Sequence, residues 1–94
     1  MRQGKAVRPI WYPITVFYDG SSAACASEVE ALKKVEHDGR LQFVDCSAAD
    51  FDETVLAGIG LTRNDLLARI HARDAHGRWH TGLGAMEAAY RALY

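Results

Sequence analysis

The sequence predicts an α/β domain: a four-stranded mixed sheet with helices on both faces, in the order β-α-β-α-β-β-α. Three features carry this reading. Two short runs rich in β-branched and aromatic residues, 14–18 and 41–45, flank a segment whose apolar residues recur at helical spacing. A helix joining two such strands brings them parallel through a right-handed crossover. Further on, Ala75-His76-Gly77 separates two strand-like runs and predicts a hairpin, whose strands must be antiparallel.

Ile14-Thr15-Val16-Phe17-Tyr18 reads as a buried strand. Gly20 lets the chain turn, and Ser21 or Ser22 offers the oxygen that caps the next helix. Cys25, Val29 and Leu32, continued by Val35 or Glu36, form that helix's inward stripe. His37-Asp38-Gly39 closes it, with Gly39 in a left-handed conformation. Leu41-Gln42-Phe43-Val44-Asp45 is the second strand, and residues 46–60 are irregular apart from one short helical turn around Glu53 to Ala57. Thr62-Arg63-Asn64-Asp65 starts a capped helix with Leu66, Leu67 and Ile70 as its stripe. The hairpin runs His71 to Asp74 and Arg78 to Thr81. Gly82 to Gly84 then lead into a last helix with Met86, Ala89, Tyr90 and Leu93 on one face. This element order is the thioredoxin-type arrangement.

With 94 residues, the chain makes one domain, placed at 14–94 behind an N-terminal arm of residues 1–13. Arg2, Lys5 and Arg8 on that arm read as a solvated tail. A formal net charge of −1 provides no general field to draw in nucleic acid or acidic membranes. Two cysteines cannot build a disulfide framework, which points to a reducing, cytoplasmic setting. The basic start, the apolar run and the small residues before Cys25 imitate a lipoprotein leader. Pro13, the aromatic residues, Asp19-Gly20 and Ser22 all argue against one. No segment is long enough to span a membrane.

The turn from Asp19 to Cys25 admits three chemistries. Aspartyl phosphate transfer needs D-x-D-G-[ST], and Phe17 stands where the nucleophilic carboxylate belongs. Anion binding at a helix N-terminus is open to nearly any such helix, with plain capping by Ser21 or Ser22 as the simpler reading. The third is thiol chemistry at Cys25.

Here the residues resemble a known family. Val16-Phe17-Tyr18-Asp19-Gly20, followed by a cysteine on the first helical turn, is similar to the DCC family of thiol-disulfide oxidoreductases. That family is named for a D-x-x-C-x-x-C motif. Phe43-Val44-Asp45, Leu66-Leu67-Ala68-Arg69, Arg73-Asp74-Ala75-His76-Gly77-Arg78 and His80-Thr81-Gly82 extend the likeness through most of the chain. The resemblance implies a thioredoxin-like fold and a redox site at this turn. Asp19, Gly20 and Cys25 match the motif, whereas Ser22 replaces the first cysteine and Ala23-Ala24 the residues between. The outer cysteine of such a pair is the attacking thiolate and the inner one resolves the mixed disulfide. A serine hydroxyl is too weakly acidic to take over the attack. The wider superfamily also sets a proline before the third strand, and Arg69-Ile70-His71 has none.

The resulting expectation is a degenerate Ser-x-x-Cys site. Cys25, Ser22 and Asp19 are its candidate catalytic residues, and Gly20 and Ser21 its candidate substrate contacts. Asp19 is either a turn-forming carboxylate or a proton acceptor beside the thiol. Cys25, on the inward face, reads as an inert core thiol, with a single slow thiol as the functional alternative. No resident cofactor is expected; glutathione, another small thiol or a protein would be the partner. Two classes stay open: a single-thiol oxidoreductase, or a non-catalytic binding or structural module. A Cys25–Cys46 bond would require a close approach of two Cα atoms.

His71, His76 and His80 do not make a metal site, because a three-residue loop places Arg73 opposite Trp79 and Ala72 opposite His80. His71 and His80 then point to opposite faces, and His76 sits at the tip. Asp74 and Arg78 should pair across the hairpin, contributing little if exposed. Trp11, Tyr12, Phe17, Phe43, Tyr90 and Tyr94 are expected in or at the edge of the core, too scattered for base stacking.

Overall fold

Eight elements make up the computed structural model, which describes residues 11–94. They are β1 (Ile14–Tyr18), α1 (Ala23–Val35), β2 (Leu41–Asp45), a 3-10 turn (Glu53–Leu56), α2 (Arg63–Ala68), β3 (His71–Arg73), β4 (Trp79–Thr81) and α3 (Leu83–Leu93). Arg2, Lys5, Arg8 and the rest of the arm up to Ile10 lie outside the described residues.

The sheet runs β2-β1-β3-β4, with β1 and β3 interior and β2 and β4 at the rims. β1 and β2 are parallel, Ile14 opposite Leu41 and Tyr18 opposite Asp45, so both strands end at the same edge of the molecule. β3 is antiparallel to β1, with His71 opposite Phe17. β4 pairs with β3 in the register set by the loop length, Ala72 opposite His80 and Arg73 opposite Trp79.

Alternation along the strands sorts the core into two layers. Ile14, Val16, Leu41 and Ala72 face α1 and α3, meeting Val29, Leu32, Ala85, Ala89, Ala92 and Leu93. On the opposite face, Phe17 packs with Cys46, Leu56 and Leu66 beneath the 3-10 turn and α2. Fully buried aliphatic side chains such as Leu32 and Leu66 each contribute about 2 kcal/mol of transfer free energy. The helices on both faces and the mixed four-stranded sheet fit the thioredoxin-like arrangement.

Several details depart from the pattern of the sequence. α1 ends at Val35, with Glu36 already extended, so Val35 is exposed rather than part of the inward stripe. Asp38 and Gly39, both at positive φ, shape a separate turn that leads into β2. On α3 the inward face is an alanine stripe, Ala85, Ala88, Ala89 and Ala92, while Tyr90 lies outside and stacks on Tyr94. Ile70 lies beyond α2 and packs on the α1/α3 layer instead. Of the six aromatic residues placed in or near the core, only Phe17 is buried; Phe43 is half-buried, and Trp11, Tyr12, Tyr90 and Tyr94 are exposed.

The hairpin turn differs most. Asp74 does pair with Arg78, but its side chain is wholly buried, so the pair is not the weak one of an exposed surface. The carboxylate accepts from the backbone N–H of His76 (2.9 Å) and of Arg78 (3.0 Å), and from Arg78 Nε at 2.8 Å. Burial pushes the carboxyl upward, but the donors, led by the Arg78 backbone and guanidinium and joined by His76 and His80, outweigh it. They hold the group at about 2.

Candidate functional site

Because β1 and β2 end together, the turns that follow them lie side by side, and the candidate residues belong to the first. Asp19 folds back on its own turn. Its Oδ1 accepts from Ser21 N at 2.9 Å and from the Ser21 hydroxyl, and its carbonyl accepts from Ser22 N at 3.1 Å. The carboxylate thereby holds the turn in shape. Ser22 is the N-cap of α1: its Oγ accepts from Cys25 N at 3.4 Å, and its carbonyl accepts from Ala26 N at 2.9 Å. Ser22 and Cys25 thus occupy one helical turn, and Ser21 is exposed beside them.

Gly20 owes its identity to a neighbour 25 residues away. Its N–H donates to Asp45 Oδ1 at 2.8 Å. A Cβ at this position would lie 2.8 Å from that same oxygen and closer still to Oδ2. The backbone comes so near the carboxylate that no side chain fits. Asp45 also accepts from Ser47 N at 2.9 Å and Ser47 Oγ at 2.7 Å. These bonds, the Ser47 hydroxyl foremost, outweigh the cost of burial and hold the Asp45 carboxyl below its usual value. Asp45 therefore clamps the site turn to the end of β2. Sequence reasoning singled it out only as part of a family motif; the D-x-S pattern after each parallel strand was the available signal.

The N–H groups of Gly20, Ser21 and Ser22 are all committed within the protein, to Asp45 and Asp19. Among the described residues, those of Ala23 and Ala24 at the first helical turn have no partner. They and the Cys25 thiol are what the turn can offer a ligand.

The two cysteines differ sharply. Cys25 is half-buried, more open than the inward stripe of α1 predicted, whereas Cys46 is fully buried among Phe17, Leu56 and Leu66. Burial pushes the Cys46 thiol up to about 11, well above the value of a reactive group. Both thiols are free. Cys46 sits in the layer beneath α2, whereas Cys25 belongs to α1, the helix whose Val29 and Leu32 pack on the other face of the sheet. Arg63 holds the loop after Cys46 by donating from Nε to the Cys46 carbonyl at 2.8 Å and from Nη2 to that of Ala48 at 3.0 Å.

The histidines stay apart, as their register required: His71 is buried against the edge of Trp79, His80 contacts Asp74, and His76 lies by the Trp11 ring. Among the described residues, no group of three or more His, Cys, Asp or Glu could hold a metal, and no helix is long and apolar enough to cross a membrane.

The sequence model of a family described as DCC1-like thiol-disulfide oxidoreductase matches residues 16–94. No curated protein and no solved structure matches the chain.

Proposed function

This chain belongs to the DCC1-like thiol-disulfide oxidoreductase family, and from that membership we propose that it carries a degenerate, single-thiol site. Cys25 is the one thiol at the mouth of the turn, and Ser22, where the outer cysteine of the motif would stand, caps the helix. In this reading the Cys25 thiolate attacks a disulfide of glutathione or of a protein. A mixed disulfide with Cys25 forms, and the other sulfur leaves as a thiolate. A second external thiol must then attack the mixed disulfide to free Cys25, because Ser22 stands where the partner thiol of the pair would be. Dithiol turnover is accordingly weak or absent.

The supporting observation is the hydrogen bond from Cys25 N to Ser22 Oγ, which keeps the serine and the thiol on one helical turn, the spacing the family motif gives its two cysteines. A second reading, a non-catalytic binding module, draws on the turn itself. Three successive N–H groups there are satisfied internally, as in a connection built to hold its shape.

Alkylation of the native protein as a function of pH, combined with an insulin-reduction assay, separates the two. The single-thiol reading expects Cys25 to react in the folded state, Cys46 to react only on unfolding, and insulin turnover to be negligible. A Cys25 that reacts only in denaturant leaves the binding module. Ser22→Cys with Ala23→Pro, the latter at the first helical position where proline is tolerated, should form a reducible bond to Cys25 and gain turnover. Failure of that bond to form would reject the placement of the turn on the family motif.

A further inference from the structure

The C-terminal end of α3 is held from outside the helix. Any helix leaves its last carbonyls without partners of its own. In α3, Tyr90 O is still taken by Tyr94 N at 3.0 Å, whereas Ala92 O and Leu93 O lie beyond the reach of that ladder. Two basic side chains of the turn between α1 and β2 serve them instead. Arg40 donates from Nη1 to Ala92 O at 3.1 Å, and His37 Nε2 lies 3.2 Å from Leu93 O.

His37 cannot make its contacts as a neutral ring. Its Nδ1 lies 3.1 Å from Asp38 Oδ2, while Nε2 meets the Leu93 carbonyl. A carboxylate and a carbonyl only accept, and a neutral imidazole has one N–H to give. Serving both takes the imidazolium, which has two. The backbone sets the carboxylate in place: Asp38 is in the left-handed region at φ 58°, a conformation in which Asp and Asn are enriched.

Charges from each neighbouring element meet at this turn. The hydrogen bond to Asp38, followed by that to the Leu93 carbonyl, raises the His37 pKa above its ordinary 6.5, and Arg40, just before β2, opposes the proton. At the end of α1, Lys33 and Lys34 fill the last turn, and Glu36 accepts from Leu41 N at 3.2 Å. α3 brings Arg91 and Tyr94. Tyr12, ahead of β1, lies under the Arg40 guanidinium, 4.6 Å from carbon to ring centre.

We propose that the turn 37–40 is a proton-operated clasp on the last turn of α3, closed while His37 is charged and half-released when it is neutral. With one N–H left, the ring serves either Asp38 or Leu93, and the Leu93 carbonyl loses its charged donor. Arg40 keeps its hold on Ala92, and the Ala92 and Leu93 side chains stay buried, so only the helix end loosens. A cation at a helix C-terminus also offsets the negative end of the dipole, and that contribution leaves with the proton. Because folded His37 holds its proton more tightly than the unfolded chain, the stabilisation is complete well below 6.5 and is lost as pH rises through the folded value.

NMR of the full chain across neutral pH tests the clasp through the His37 ring, the Leu93 carbonyl carbon and the Tyr94 amide. His37 should titrate above 6.5, and the Leu93 and Tyr94 signals should move with the same midpoint. Asp38→Asn, which keeps a residue suited to left-handed backbone, should lower that midpoint, and Arg40→Gln should raise it. His37→Gln should abolish the movement at residues 93 and 94. Hydrogen exchange of the Tyr94 amide, taken relative to Ala89 at the same pH, should rise as His37 loses its proton. A midpoint at or below 6.5, Leu93 and Tyr94 signals indifferent to it, an unmoved midpoint in Asp38→Asn, or movement that survives His37→Gln would each overturn the proposal. None of these outcomes depends on whether Cys25 reacts.

Discussion

Asp19-Gly20-Ser21 and Asp45-Cys46-Ser47 close the two parallel strands with the same device. In each, one carboxylate oxygen accepts both the N–H and the hydroxyl of the serine two residues on. They differ in what else the carboxylate holds and in what fills the middle. Asp19 serves only its own exposed turn, whereas Asp45 also reaches across to Gly20 N. The middle residue of the first turn must be side-chainless to admit that carboxylate, while Cys46, the middle residue of the second, drives its sulfur into the core. The residue that shapes the candidate site is therefore on the neighbouring strand. A motif read along one segment identifies where chemistry could occur, but the rigidity of that segment is supplied from outside it.

The largest effect should come from breaking this asymmetry directly. Gly20→Ala places a methyl group inside the Asp45 carboxylate and removes the 2.8 Å bond; a loss of about 3 kcal/mol is expected in urea unfolding. Adding Asp45→Ala should recover part of that loss, and strictly additive losses would contradict a clash between the two positions. Acid titration gives the next effect. Asp74 titrates at about 2 when folded against 3.8 when free, so the folded state binds fewer protons. Its contribution, about 2 kcal/mol, is present in full above the free value and disappears as pH falls through 2. Asp45 adds in the same direction. Asp74→Asn should flatten this limb of the stability curve. Ser22→Ala should cost about 1 kcal/mol through the lost cap. Smallest is Asp19→Ala, about 0.5 kcal/mol for bonds at an exposed turn, if the first turn is as self-contained as its contacts indicate. An Asp19 effect equal to that of Asp45→Ala would erase the distinction between the two turns.

Local signals carried most of the fold. The β-branched run at 14–18, the Ser22 cap, the Thr62-to-Asp65 capping box and the three-residue hairpin loop each act within a few residues, and each sits where its pattern put it. What escaped depends on packing between distant segments. Apolar spacing on α3 did not separate Tyr90 from the alanines, because the choice of face is made by how closely the helix approaches the sheet. The burial of Asp74 depends on donors that converge only once the hairpin has closed. The contact between Gly20 and Asp45 spans the whole first crossover. At the thiol turn the sequence located Ser22 and Cys25 correctly on one helical turn but overstated how deeply Cys25 is enclosed.

The unequal rims of the sheet have a consequence for how copies of this chain behave in a crowded solution. β4 is only three residues long, too few amide and carbonyl groups in line to template a foreign strand. The five-residue β2 is the vulnerable side, and there Lys33 holds its ammonium group 5.5 Å from the centre of the Phe43 ring. A cation stationed beside the longer rim discourages edge-to-edge growth, so replacing that lysine would trade little folding stability for a greater tendency to aggregate.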